Sequence, residues 1–183
     1  GLGLTEASAI MEEVNRSGGN SGACHGQMYN MGTLLRHGSK AQKELYLPKI
    51  ASGEWRLQSM GVTEPSTGTD TTKIKTSAVK RGDRYVVNGQ KVWISRIQHS
   101  ELMILLARTT PLAEVQKKSE GLSIFIVDLR DAIGGLDHFP AKADAIGAFA
   151  ALKFPRVAMC QPVFGKLNLP PVVDPLPEHA VHI

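Results

Sequence analysis

Apolar residues recur at helical spacing in the first part of this chain. Leu4, Ala7, Ile10, Met11 and Val14 share one helix face, and Gly18-Gly19 stops the pattern. A second helix is predicted over residues 23–37, with Gly38 at its C-terminal end. Ser39 and Gln42 read as a capping box, each side chain satisfying the other residue's free N–H, and the short helix they open is expected to end at Pro48.

From about residue 56 to 129 the period shortens and the chain reads as β-rich. Asn88-Gly89 lies between the apolar runs 85–87 and 92–94, a two-residue hairpin signal because both turn positions accept positive φ. Arg81-Gly82-Asp83 lies between runs 74–79 and 85–87, and a hairpin turn accounts for it without an adhesive role. Runs 103–107 and 123–127 are apolar enough to be buried strands. The polar stretch between them, with Pro111 and two lysines, reads as a surface loop. Beyond residue 132 no pattern persists. That stretch holds most of the ten prolines and ends in Asn168-Leu-Pro-Pro-Val-Val-Asp-Pro-Leu-Pro177; one helix over 145–152 is the only element it suggests.

Composition narrows the function classes. Hydrophobic content of 42% and charged content of 21% are those of a globular chain. A net charge of +4 with scattered basic residues gives no phosphate-tracking stripe, which sets nucleic acid aside as a partner. The longest apolar run, 102–107, is too short to cross a bilayer. Cys24 and Cys160 suit a reducing compartment rather than a disulfide scaffold. The six histidines show no metal-ligand spacing, and no phosphate loop, G-x-G-x-x-G turn or G-x-S-x-G elbow is present. The opening Gly1-Leu2-Gly3, without Met, reads as a lead-in to a helix and suggests a processed or cut product.

Two segments carry candidate chemistry. Met60-Gly-Val-Thr-Glu-Pro-Ser-Thr-Gly-Thr-Asp70 sets hydroxyls and glycines after an apolar strand, and Lys91-Val-Trp-Ile-Ser95 sets an indole and a hydroxyl two residues apart. Backbone N–H groups and short hydroxyls can bind the polar edge of a flat cofactor, and an indole can cover its face. Read alone, the first segment is equally a strand running into a common Pro/Gly/Thr loop. Trp93, at a period-2 inward position, reads as core.

The segment 60–70 resembles the M-x-x-T-E-P-x-x-G-S/T-D signature of acyl-CoA dehydrogenases. Asn88-Gly89-Gln90-Lys91-Val92-Trp93-Ile94-Ser95 resembles the family's N-G-x-K-x-W-I-S/T. Residues 38–53 are similar to its G-x-x-x-Q-K-x-x-Y-L-P-x-x-x-S-G. The three motifs stand in order and at fitting separations, and the resemblance covers residues 1 to about 131. It implies an α+β chain: helices of the N-terminal domain (1–53), an antiparallel β-barrel facing FAD and acyl-CoA (54–131), and a divergent, irregular Pro-rich tail (132–183).

The resemblance also implies roles. Met60, Val62 and Thr63 meet the isoalloxazine through backbone and hydroxyl, Trp93 flanks the ring, and Ser95 sets a hydroxyl near flavin N5. Gly68 and Thr69 sit at the cofactor phosphates, with Thr69 also at the acyl-CoA. Gln27, Met28 and Met31 are candidates for the acyl pocket, although their helical spacing suits core packing. The family's acceptor is an electron-transfer flavoprotein, its full-length members are homo-oligomers, and the compartment is the bacterial cytoplasm or the mitochondrial matrix.

Two departures stand out: Arg96 replaces the usual Asn after W-I-S/T, and the C-terminal helical bundle with its catalytic Glu has no counterpart after Asp131. Glu178, in the Pro-rich tail, is not a candidate for that base. The expectation is a truncated or rearranged dehydrogenase, inactive alone, with uncovered apolar faces that favour association. A non-catalytic flavin- or acyl-CoA-binding or interaction module and an acyl-CoA oxidase fragment are the alternatives.

Overall fold

A computed structural model describes residues 3–82, 84–132 and 149–159. Three helices lead: α1 (Leu4–Arg16), α2 (Ser21–His37) and α3 (Lys40–Ala51). Strands β1 (Leu57–Gly61), β2 (Ser77–Arg81), β3 (Arg84–Ser95), β4 (Leu102–Arg108) and β5 (Leu122–Asp128) follow, then the short α4 (Leu129–Ala132) and β6 (Phe149–Met159).

The capping box forms as read: the Gln42 N–H donates to Ser39 Oγ at 3.2 Å and the Ser39 N–H to Gln42 Oε1 at 2.8 Å. The helix does not end at Pro48, however. Pro48 is accommodated inside α3, which continues to Ala51 before the Ser52 N–H closes onto Pro48 O at 3.0 Å. A proline lacks only its own N–H, and the last turn tolerates that loss.

The strands form a mixed sheet in the order β1-β4-β2-β3-β6, with β5 on the other side of β4. The expected antiparallel barrel is corrected on two counts. β1 runs parallel to β4, pairing Leu57 with Leu102 through Gly61 with Leu105, and the described sheet does not close on itself. The parallel pair follows from the chain's path, because the long excursion from residue 62 to 101 returns the chain beside β1 in the same direction.

Both faces of β4 are covered. Leu102 and Ile104 join Leu34, Ile50, Trp55, Leu57 and Ile126 under the helices, while Met103, Leu105 and Ala107 join Val87, Ile94, Phe125 and Val127 on the opposite face. Double burial is why this strand reads as an unbroken apolar run instead of alternating. By contrast α1 buries none of its residues, and Leu4 and Ile10 stand open to solvent.

Asn88-Gly89 is not a hairpin turn. β3 runs straight through it, and the hairpin joins β2 to β3 at Gly82, which has φ +62°. A Cβ on Gly89 would lie 2.4 Å from Thr76 Oγ1 and 2.6 Å from Thr76 Cα, so glycine answers a close backbone approach here rather than a reversal. The expected helix over 145–152 is also corrected where it is described: from Phe149 the chain is β6, antiparallel to β3. Val157 pairs with Val87 and Phe154 with Gly89, which leaves Pro155 and Arg156 opposite Asn88 in a bulge, a position a proline can fill within a strand. The Pro-rich stretch from residue 160 lies outside the described residues.

A second bulge matters more. Lys91 pairs with Leu152 and Ile94 with Ala150, so Val92 and Trp93 both face Ala151. Trp93 has φ +60°, a left-handed conformation rare for a bulky side chain. Its effect is to let Lys91 and Ile94 both turn inward while Trp93 stays outside, 67% exposed. Trp93 is therefore not a core residue, as simple alternation had suggested.

Candidate functional site

The stretch leaving β1 and the C-terminal end of β3 lie edge to edge. Val92 N–H donates to Thr63 O at 2.9 Å, and Ser59 Oγ donates to Ser95 O at 3.2 Å, so residues 59–63 run antiparallel beside 92–95. The two motifs meet along this line. Val62, Thr63, Trp93 and Ser95 come together, and Gly68 folds back so that a Cβ there would stand 3.9 Å from Thr63 Cγ2. Gly68 and Thr69 are exposed at the rim. Met60 differs, because its side chain packs against the core cluster beneath the helices.

The loop's shape comes from Glu64 and Lys91, two letters of the quoted motifs that were given no role from sequence. Glu64 is 5% and Lys91 0% exposed, and Lys91 Nζ donates to Glu64 Oε1 and to Val62 O, both at 2.9 Å. The same carboxylate accepts from Lys75 N–H at 2.7 Å and Thr76 N–H at 2.9 Å. Burial pushes the Glu64 carboxyl up, and the donors from Thr76, Lys75 and Lys91 more than offset it, holding the group below the usual carboxylate range. Burial holds the Lys91 ammonium below the usual lysine value despite the opposing pull of Glu64. The lysine stem passes over Gly61, where a Cβ would meet Lys91 Cγ at 3.5 Å, an ordinary contact, and Leu105 Cδ1 more tightly at 3.3 Å.

The rest of the loop is tied internally. Glu64 and Thr67 exchange backbone hydrogen bonds at 2.9 and 3.1 Å, Thr67 Oγ1 donates to Asp70 O at 2.7 Å, and Asp70 caps the short turn of Thr71–Lys73 through Thr72 N–H at 3.2 Å. Hydrogen bonds from Thr72 and Lys73 hold the Asp70 carboxyl below its ordinary value. Arg108 secures the far side: its guanidinium donates to Thr72 O at 2.7 Å, Glu120 O at 3.0 Å and Lys118 O at 3.2 Å, which anchors the 109–121 loop.

Arg96, the departure noted above, has φ +59° and donates from Nε to Gln58 Oε1 at 2.7 Å. Asn tolerates this conformation at lower cost than Arg. Arg96→Asn is expected to raise stability by about 0.5 kcal/mol, since relief of roughly 1 kcal/mol of strain outweighs one lost hydrogen bond of about 0.5 kcal/mol. Urea unfolding of the two chains checks the sign.

What this surface offers is specific. The Thr63 N–H and hydroxyl have no hydrogen-bond partner among the described residues, although Thr63 is half-buried. Beside them stands an indole held outward by a strained backbone. Unpartnered donors next to an exposed aromatic face suit the edge and face of a flat heteroaromatic ring. The acyl-pocket candidates on α2 serve the fold instead: Gln27 Oε1 accepts from Leu57 N–H at 3.0 Å and Met31 packs into the core, while Met28 is half-buried.

Comparison with known proteins identifies the family. The family model "acyl-CoA dehydrogenase, N-terminal domain" matches residues 1–54, and "acyl-CoA dehydrogenase, middle domain" matches residues 59–149. Mitochondrial isovaleryl-CoA dehydrogenase of Pongo abelii is 39% identical over 130 residues, covering 70% of this chain and 30% of that protein. The crystal structure of an acyl-CoA dehydrogenase from Geobacillus kaustophilus superposes with a TM-score of 0.59 at 29% identity, over 73% of this chain and 36% of that one. The prolyl acyl carrier protein oxidase AnaB superposes with a TM-score of 0.55 at 32% identity, over 60% and 28%. The chain spans roughly a quarter to a third of the length of the curated relatives it matches. With two family domains matched in order and their motifs joined along one edge, this chain belongs to the acyl-CoA dehydrogenase family.

Proposed function

We propose that this chain carries the FAD- and thioester-facing surface of an enzyme that dehydrogenates acyl-CoA thioesters between the α and β carbons. The observation that carries this reading is the Thr63 N–H and hydroxyl, without a partner among the described residues, beside the outward indole of Trp93. The family is FAD-dependent, and the residues present fit that group. Thr63 N–H and Oγ1 would hold the polar edge of the ring system, Trp93 would cover one face, and Ser95 would offer its hydroxyl near N5. Gly68 and Thr69, at the open rim, would face the phosphates and the thioester. Bound FAD supplies the acceptor for the hydrogen leaving the β carbon.

Donors fixed in place before reaction stabilise charge developing on the thioester and the acceptor without reorganising at that moment. The other half of the reaction needs a base for the α proton. Glu64 is committed to Lys91, and Asp70 to Thr72 and Lys73, so neither carboxylate of this loop is available for the task. The family resemblance assigns the base to a Glu of the C-terminal helical domain. An electron-transfer flavoprotein as acceptor, assembly into homo-oligomers and a bacterial cytoplasmic or mitochondrial matrix setting belong to the same proposal. An oxidase reading, favoured by the likeness to AnaB, differs only in passing electrons to oxygen.

Titrating the chain with FAD tests the proposal. Saturable quenching of flavin fluorescence is expected, with affinity falling at least tenfold on Trp93→Ala and on Thr63→Val. Turnover of isovaleryl-CoA with a dye acceptor should be absent. No saturable binding would leave the interaction-module reading in place, and measurable turnover would show that the chain holds its own base.

A further inference from the structure

The buried lysine of the loop reaches past its carboxylate. Lys91 Nζ is 2.9 Å from Glu64 Oε1 and also 2.9 Å from Val62 O, the carbonyl of the peptide unit whose N–H belongs to Thr63. That N–H is one of the platform's two donors without a partner among the described residues. A cation on the oxygen of a peptide group draws electron density from its nitrogen, so the N–H at the other end becomes a stronger donor, and in a buried setting the effect is not screened by water. Val62 O and Glu64 Oε1 share the ammonium, an acceptor role that a glutamine amide oxygen can also fill, and the Glu64 carboxylate is in turn bound by Lys75 N–H and Thr76 N–H. Val92 N–H on Thr63 O, at 2.9 Å, fixes the next peptide plane.

We propose that Lys91 is a positioning residue that polarises the Val62–Thr63 peptide, sharpening the Thr63 N–H as a donor to the cofactor edge and thereby favouring the reduced cofactor over the oxidised one. The inference rests on the flavin-platform reading above and adds to it a residue that touches no ligand. Negative charge gathers on the ring edge in the reduced state, so a stronger donor there binds reduced FAD more tightly than oxidised FAD. The pair thus serves the cofactor's electron affinity as well as the loop's shape.

The test compares the unaltered chain with Lys91→Met/Glu64→Gln, which removes both charges at nearly constant volume, and with Glu64→Gln alone at pH 6, which keeps the ammonium on Val62 O. FAD titration and the potential of the bound flavin are read for each. For the double variant the ratio of affinities for reduced and oxidised FAD is expected to fall about tenfold, a potential about 30 mV more negative for a two-electron couple. Glu64→Gln alone should stay within twofold of the unaltered chain. A readout without cofactor is the Thr63 amide proton in NMR spectra, expected to move upfield in the double variant and to stay in place in the single one.

FAD binding by the double variant with an unchanged potential would overturn the inference while leaving the platform reading standing. An unmoved Thr63 amide would do the same. Equal shifts in both variants would assign the effect to the loop's shape and overturn it too. Absence of saturable FAD binding by the unaltered chain would overturn the platform reading and the inference together.

Discussion

Lys91→Met alone is expected to cost about 3–5 kcal/mol, a large share of the 5–15 kcal/mol that a domain typically has. The lysine side chain is wholly buried, and its loss leaves the Glu64 carboxylate in a dry loop without its cation. Two backbone N–H groups still face that carboxylate, which keeps the cost from rising further. Adding Glu64→Gln should return about 2 kcal/mol or more, because most of the penalty is the stranded charge rather than the lost bond. Urea unfolding of the two variants gives the comparison, and equal stability of single and double variants would contradict it. Acid probes the same pair. Because the folded-state value of Glu64 lies below its unfolded value, near 4.3, the stabilisation it gives is present above that value. It is lost as pH falls through the folded value, so the unfolding midpoint should drop below about pH 4.

Trp55→Ala is the second large effect, about 3–5 kcal/mol. Trp55 is 9% exposed where α3 meets the sheet, and its backbone N–H, which the substitution keeps, donates to Lys49 O at 3.0 Å. Lys49 Nζ lies 4.0 Å and the Arg130 guanidinium 4.1 Å from its ring centroid, and Tyr46 packs against it at 6.0 Å. One ring therefore joins the last turn of α3 to α4 at the end of β5. Its removal opens a cavity in the cluster that also holds Leu34, Ile50, Leu57 and Leu102, and uncouples the helices from the strands. A melting temperature lower by roughly 10 °C is expected, with Trp55→Phe recovering more than half of the loss because a ring remains for both cations. A loss below 1 kcal/mol would mean that helices and sheet hold together by other contacts.

Much of this was legible in the sequence, and the failures have physical causes. Helical periodicity and the Ser39/Gln42 box marked α1 to α3 because those signals are local. The doubly buried β4 was legible for the opposite reason, since an apolar run without alternation has few other uses. Asn88-Gly89 misled because a residue pair that tolerates unusual φ serves a bulge, or a close approach such as that of Thr76, as well as a turn. Nothing local distinguishes the three. The platform residues Thr63, Trp93 and Ser95 were found by family resemblance, and the same motifs contain Glu64 and Lys91 without revealing that the two pair. Glu64 and Lys91 are far apart in the chain and each looks like an ordinary solvated charge until the fold removes water from both. The parallel pairing of β1 with β4 was equally hidden, being set by the path of the intervening chain.

The bulge at Val92 and Trp93 has a consequence for how this strand can vary. Upstream of it, inward residues of β3 carry odd numbers, Tyr85, Val87 and Lys91; downstream the inward residue is Ile94. The strand thus changes phase once, and the extra residue is what moves its inward positions from odd to even numbers. Substituting Val92 tests only a side chain. Deleting it would set Lys91, Trp93 and Ile94 in plain alternation opposite Leu152, Ala151 and Ala150, so that Ile94 stays inward and Trp93 outward while the bulge itself is lost. The extra residue therefore governs the backbone from which the indole is presented, with Trp93 at φ +60°, and not the facing of the residues around it.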